Sequence, residues 1–263
     1  MNLRSALLLI AVRTVTVCAL AQSAPVSSVA VPMAADAHPS FAVATIKPHD
    51  PNSSRQGINP KGDRLTIQNE SVSSLIAYAY SIHHLQVVNA PAWVENAPYD
   101  IEGKTETEGE PSSDQQKEML KKLLADRFAL KFHREKRELS VYAIRVTKGG
   151  PKLSAAVNPD ALHDQHASTQ GTEMTQKITS ASMADFMESM QFFLSRPIID
   201  QTGLTGRYDF TFRYTYDEAD STDPNAAPGF FTAIQEQLGL KFEPAKAPTD
   251  VFVIDHVEKP SAN

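Results

Sequence analysis

The sequence predicts an α+β fold of two duplicated βαββαββ-like units, with mixed sheets packed against two helices each. Three observations carry that expectation. First, motifs recur at a nearly constant offset: Tyr99-Asp100-Ile101 returns as Tyr208-Asp209-Phe210 after 109 positions. Leu130-Lys131-Phe132 returns as Leu240-Lys241-Phe242, and Val141-Tyr142-Ala143-Ile144 as Val251-Phe252-Val253-Ile254, both after 110. Self-similarity of this kind marks a supersecondary unit that has been copied and fused. Second, each copy alternates short apolar segments of period two with two stretches of helical period. Third, 263 residues are enough for two modest domains behind a leader.

The leader comes first. Arg4 supplies a positive start, Leu7 to Val12 an apolar run, and Ala19-Leu20-Ala21 a small-x-small site before Gln22, so residues 1–21 read as a signal peptide cleaved between Ala21 and Gln22. Arg13 interrupts the apolar run, which falls short of the roughly 20 apolar residues a membrane span needs. Cys18, the only cysteine, would leave with the leader, and Val17 before it argues against a lipid anchor. Without it the chain forms no disulfide and must rely on its core. Of 25 basic residues Arg4 and Arg13 lie in the leader, leaving 23 against 31 acidic ones, a formal charge of −8. That balance disfavours nucleic acid and anionic lipid, which need a basic footprint.

Residues 22–40, rich in Ala, Ser, Val and Pro, read as a flexible spacer, with order beginning near Phe41. The first copy spans 41–153. Phe41 to Ile46 suits a strand ended by Pro48, and Asp50 to Asp63 reads as a loop. Leu65 to Gln68 is an entry strand, and Ser71 is the N-cap of a helix with Val72, Leu75, Ile76 and Ala79 on its apolar face. Leu85 to Val88 is a strand, and Pro91-Ala92-Trp93 turns into the strand from Tyr99 to Lys104. Ser113 with Gln116 predicts a capping box for a helix burying Met119, Leu120, Leu123 and Leu124. Two strands follow, one alternating on Phe128, Leu130 and Phe132, the other from Val141 to Val146.

Residues 154–176 carry neither period and read as a polar linker. The second copy, 177–260, repeats the order. Ser182 and Asp185 cap a helix with Met183, Phe186, Met187, Met190 and Leu194 on one face. Pro197-Ile198-Ile199 takes the place of Leu85 to Val88, and Tyr208, Phe210, Phe212 and Tyr214 line one face of a strand. Phe230, Phe231, Ile234 and Leu238 are the apolar set of the last helix, strands Leu240 to Glu243 and Val251 to His256 close the fold, and residues 261–263 are a tail.

No chemical constellation stands out. His83-His84 and His163-x-x-His166 lack metal-ligand spacing, no HExxH is present, and surface histidines are the expectation, so neither a metal nor another cofactor is implied. Neither a GxSxG elbow nor an SxxK motif occurs, which leaves no assigned catalytic residue. Glu106, Glu108 and Glu110 lie in a solvated connector. Trp93, the single tryptophan, is the weak candidate for binding, because tryptophan is enriched at hot spots, although packing over the core at a turn explains it more simply. Asp100 and Asp209 share a place in both copies, which points to a turn-stabilising hydrogen bond, and Arg207 beside Asp209 to a surface ion pair.

Taken in order, Phe41 to Pro48, Ser71 to Tyr80, Pro91-Ala92-Trp93 with Tyr99-Asp100-Ile101, Leu124-Ala125-Asp126-Arg127-Phe128, Gly149-Gly150-Pro151-Lys152-Leu153, Asp200 to Phe210 and Val253 to Pro260 resemble the "soil-associated" proteins, an uncharacterised exported family of soil bacteria. The resemblance covers residues 41–260 and implies no activity. Longer relatives join this region to a membrane-anchored metallopeptidase, whose HExxH is missing here. Each half also resembles the short N-terminal domain of secretins and TonB-dependent receptors, a non-catalytic contact module.

The resulting expectation is an exported, periplasmic or extracellular, non-catalytic binding or interaction module. Its partner would be an envelope protein or a small ligand. The alternative is a hydrolytic enzyme with a site between the halves, where His83, His133 or His256 would meet a carboxylate.

Overall fold

The computed structural model describes residues 31–191, 193–215 and 227–260. The expected signal peptide with Ala21 and Gln22, spacer residues 22–30 and the tail 261–263 lie outside the described residues. The described chain is α+β, with helices packed on mixed sheets.

In the first half, β1 (Phe41–Pro48), β2 (Gly57–Lys61), β3 (Arg64–Ser71) and β5 (Pro98–Thr105) form an antiparallel sheet in the order β1-β5-β3-β2. The alternation along β3 turns Leu65 and Ile67 inward. Against them pack α1 (Val72–Tyr80) and α3 (Ser113–Arg127), which bury Leu75, Ile76, Leu120 and Leu124 in one core. Ser71 caps α1 as the sequence predicts, its side chain accepting from Ser74 N. The cap of α3 sits one residue earlier than expected: Ser112 and Gln115 form the reciprocal pair, while Gln116 donates back to Pro111 O. Trp93 opens a short helix, α2 (Ala92–Asn96), rather than a turn.

The second half contains β7 (Ser154–Ala155), β8 (Asp164–Gln170), β9 (Glu173–Ala181) and β11 (Tyr208–Thr215), in the order β7-β11-β9-β8. Helices α4 (Met183–Gln191) and α5 (Phe230–Leu238) accompany it, and Phe186, Met190, Phe210, Phe212, Tyr214 and Ile234 make a second core. Phe231 departs from the expected apolar set, being 41% exposed while Ala233 is buried.

A third sheet ties the halves together. The paired strands expected after α3 and after α5 are each one long strand, β6 (Lys131–Val146) and β12 (Leu240–His256), antiparallel over nearly their full length. At about 3.4 Å per residue each spans roughly 50 Å, enough to reach from one core to the other. Phe252 and Ile254 of β12 belong to the first core and Ile144 of β6 to the second. The short β4 (Val87–Val88) adds in parallel to β12, and β10 (Ile198–Asp200) in parallel to β6, giving the order β10-β6-β12-β4. Phe128 ends α3 instead of starting a strand, because Ala129 takes φ of 50° and turns the chain before Lys131.

Two segments expected as loops are hairpins. Gly57–Lys61 pairs with β3 across Gly62-Asp63, and Asp164–Gln170 pairs with β9 across Gly171-Thr172. Gly62 and Gly171 hold φ of 57° and 62°, the left-handed conformation that two-residue hairpin turns require. The expected linker 154–176 therefore contains β7, β8 and the start of β9. Order also begins before Phe41: Met33 is buried and pairs with Glu110 O at 2.8 Å.

Candidate ligand-binding cleft

The cleft forms where α1 ends. Ser81 takes the left-handed conformation at the C-cap (φ 53°), and Ile82 N returns to Ala77 O. This reversal brings His83 under the C-terminal end of α4. His83 Nδ1 accepts from Leu85 N at 3.2 Å, which leaves Nε2 to carry the proton and donate to Leu194 O at 2.9 Å. Burial holds the imidazole below its ordinary value, the bond to Leu194 and the neighbouring His84 being smaller influences. His83 is thus a neutral, buried clamp between residues 111 positions apart.

Above the clamp lies a cleft of about 610 Å³, within the usual range for small-molecule sites. One wall is built from Ile58 of β2, Glu70 near the end of β3 and Ser74 and Tyr78 of α1; the other from Gln191, the last residue of α4, and Phe193 just beyond it. Its polar side chains are Glu70, Ser74, Tyr78, His83, His84 and Gln191. Burial pushes the Glu70 carboxyl up, a shift partly offset by a hydrogen bond with Ser74. Burial likewise raises the Tyr78 phenol, whose hydroxyl donates to Gln116 Oε1 at 3.3 Å.

Gln191 is the anomaly. It is 8% exposed, and among the described residues its Nε2 is a buried side-chain polar atom without a hydrogen-bond partner. Buried amide groups are almost always paired; this nitrogen is enclosed by protein, so it is an unsatisfied donor behind the cleft wall rather than one displayed on it. Phe193 beside it is 53% exposed and also edges a second, aromatic cleft of about 410 Å³ with Tyr142, Tyr214 and Phe231.

The residues singled out in the sequence fall elsewhere, apart from His83 and His84, which both line the cleft. Trp93 is half-buried against the first core, with Lys259 Nζ 6.0 Å from its ring centroid. His133 sits on the exposed ribbon between Asp255 (2.8 Å) and Glu135 (3.2 Å), and His256 pairs with Glu258 at 2.8 Å. None of these carboxylates reaches His83. His163 lies 3.7 Å from Asp185 and His166 2.9 Å from Asp164. Arg207 forms an ion pair with Asp185 at 3.5 Å and donates to Ser180 O. Among the described residues no group of three or more His, Cys, Asp or Glu could hold a metal ion, and no helix is long and apolar enough to cross a membrane.

Glu70, Gln191 and Phe193 were not singled out from sequence. One signal existed for Gln191: it occupies the i+8 place of the stripe begun at Met183, where an apolar residue belongs.

The model of a family described as a protein of unknown function (DUF3738) matches residues 73–257. No curated protein and no solved structure matches the chain.

Proposed function

The chain belongs to the DUF3738 family, and from that premise we propose that it is a non-catalytic binding protein whose ligand site is the cleft between α1 and the end of α4. The observation that carries the reading is the cleft itself, about 610 Å³ and lined by Ile58, Ala77 and Phe193 together with Glu70, Tyr78 and His84, a size and a mixture of apolar and polar groups that small-ligand sites share. Export, to the periplasm or beyond, belongs to the same proposal and rests on the leader sequence; the resemblance to soil-associated proteins belongs to it too and rests on the motifs of residues 41–260, and that to the secretin and TonB short domain on the pattern of each half. Reading the halves as copies of one unit is supported by the repeated strand orders. The hydrolytic alternative gains nothing from His83, whose two ring nitrogens are both occupied by backbone groups.

A neutral, environment-sensitive dye tests the site. N-phenyl-1-naphthylamine should brighten with the wild-type protein, and Ile58→Trp, which fills the cleft from a half-buried edge-strand position, should weaken the titration at least fivefold without lowering the unfolding temperature. Equal titration of both proteins would overturn the assignment.

A further inference from the structure

Resting on the cleft as the ligand site, we infer that its occupant is an organic cation, an amine or quaternary ammonium on an apolar body, whose charge settles beside the Glu70 carboxylate. Three observations converge. Glu70 is the only acid lining the cleft, and neither Lys nor Arg lines it. The carboxyl is half-buried, and the influences on it are burial and the bond with Ser74, with no charged neighbour among the described residues to offset it. Charges withdrawn from water are paired in folded proteins, so a lone carboxylate facing a cavity is matched by a cation from outside. The same cleft is lined by Tyr78 and Phe193, aromatic rings of the kind whose negative faces attract organic cations, most strongly where water is displaced.

The third observation is that the two histidines of the lining do not answer Glu70. His83 spends Nδ1 on Leu85 N and Nε2 on Leu194 O, so it presents neither a charge nor a free nitrogen. His84 is exposed at the rim, its ring 4.2 Å from that of His83, and it forms no ion pair with Glu70 among the described residues. Behind Tyr78, the Lys117 charge is already met by Glu188 and Asp114. A carboxylate, phosphate or sulfonate entering the cleft would meet Glu70 with nothing to offset it, and partly buried charges are poorly screened. A neutral ligand would leave Glu70 unmatched, whereas an ammonium or pyridinium beside it favours the ionised carboxylate that burial opposes.

Two fluorescent dyes that differ by one methyl group and one charge separate this inference from the one beneath it. The 4-(4-dimethylaminostyryl)-N-methylpyridinium ion is permanently cationic, and its parent 4-(4-dimethylaminostyryl)pyridine is neutral at pH 8. At that pH and low salt, wild type should bind the cation at least about fivefold more tightly than the parent. Glu70→Gln keeps the shape and removes the charge; it should bind the cation at least about fivefold more weakly than wild type does. The parent should bind Glu70→Gln and wild type about equally, which also shows that the variant is folded. Glu236→Gln, which removes an exposed acid of α5 outside the cleft, should leave both dyes unaffected, as should His84→Gln. Equal binding of the two dyes by wild type, or an equal loss of both in Glu70→Gln, would overturn the cation inference while leaving the cleft as a site. So would a loss of the cation in Glu236→Gln or His84→Gln as large as that in Glu70→Gln, the first marking general attraction to an acidic protein. Failure of Ile58→Trp to weaken either dye would remove the cleft itself.

Discussion

Asp209 accepts the backbone N–H of Ser180 at 2.7 Å, and Ser180 is held at φ of 53°. The same device recurs in the other half, where Asp100 accepts from Asn69 N at 3.0 Å and Asn69 holds φ of 55°. Both sit where the pairing register shifts, between Ile67 and Glu70 in one sheet and between Tyr208 and Phe210 in the other. Non-glycine residues resist the left-handed region, so each bulge needs a fixed acceptor for its turned N–H. Asp100→Ala and Asp209→Ala should each lower the unfolding temperature by about 2–4 °C. Calorimetry checks this; an unchanged midpoint in both variants would show that the bulges hold without their aspartates.

In the first half the aspartate has a second partner. His49 Nδ1 donates to Asp100 Oδ1 at 2.7 Å, and Nε2 donates to Ser53 O at 3.2 Å. With both nitrogens donating, the bond to Asp100 above all raises the imidazole from its ordinary 6.5. Burial opposes ionisation of Asp100, but the bonds from His49 and Asn69 N outweigh it and hold the carboxyl below 3.8. The imidazolium contribution is therefore complete below pH 6.5 and is lost as pH rises through the folded-state value, whereas the carboxylate contribution is lost as pH falls through its own lowered value. The unfolding-temperature difference between wild type and His49→Gln should be largest near pH 5–6, about midway between these limits, and shrink by pH 9. A difference that is flat from pH 5 to 9 would mean that His49 is neutral in the fold.

Sequence patterning captured what the cores depend on and missed what lies at the sheet edges. Leu75, Ile76, Leu120, Phe186, Phe210 and Phe212 fall where periodicity puts them, because burying one face imposes a period. The strand β8 carries no such imprint: six of its seven residues are exposed, so Asp164 to Gln170 reads as a loop although the backbone pairs fully with β9. Only Gly171-Thr172 betrays the hairpin. The middles of β6 and β12 were misjudged for a related reason, since Arg134 to Glu138 is exposed and looks like a break between two strands. At the cleft, Gln191 broke the apolar stripe of α4, but one polar residue in a stripe has no meaning until the facing wall, contributed by β2, β3 and α1, is known.

Gly239 is a place where the backbone itself is the constraint. It ends α5 at φ of 64°, and a Cβ there would lie 2.2 Å from Gly150 O. That close approach positions Lys152 N to bond Leu238 O at 2.8 Å and Thr147 N to bond Gly239 O at 2.9 Å. Gly239→Ala should cost more than the roughly 1–2 kcal/mol of a left-handed alanine, since backbone must also move. Gly171→Ala, at φ of 62° but with open space around it, should cost only about that left-handed penalty. Urea denaturation separates the two; equal losses would mean that the contact with Gly150 relaxes freely.

The helices of the two halves meet through an ion pair. Lys117 of α3 reaches Glu188 of α4, with Asp114 at 3.4 Å, and the lysine side chain is only 10% exposed. Burial favours the neutral amine, yet Glu188 and Asp114 together keep Lys117 above its ordinary value. Such a pair is worth little against an apolar replacement, whereas breaking one side leaves a charge in poor surroundings. Asp114 is 91% exposed on its side chain and can replace Glu188 only in part. Glu188→Leu should therefore destabilise by about 1–3 kcal/mol, Lys117→Met by less because Glu188 is closer to water, and the double variant should recover most of the loss. A double-mutant cycle in urea measures the coupling. Additive losses would mean that the two helices are held by their apolar contacts alone and that the pair contributes nothing to the join between the halves.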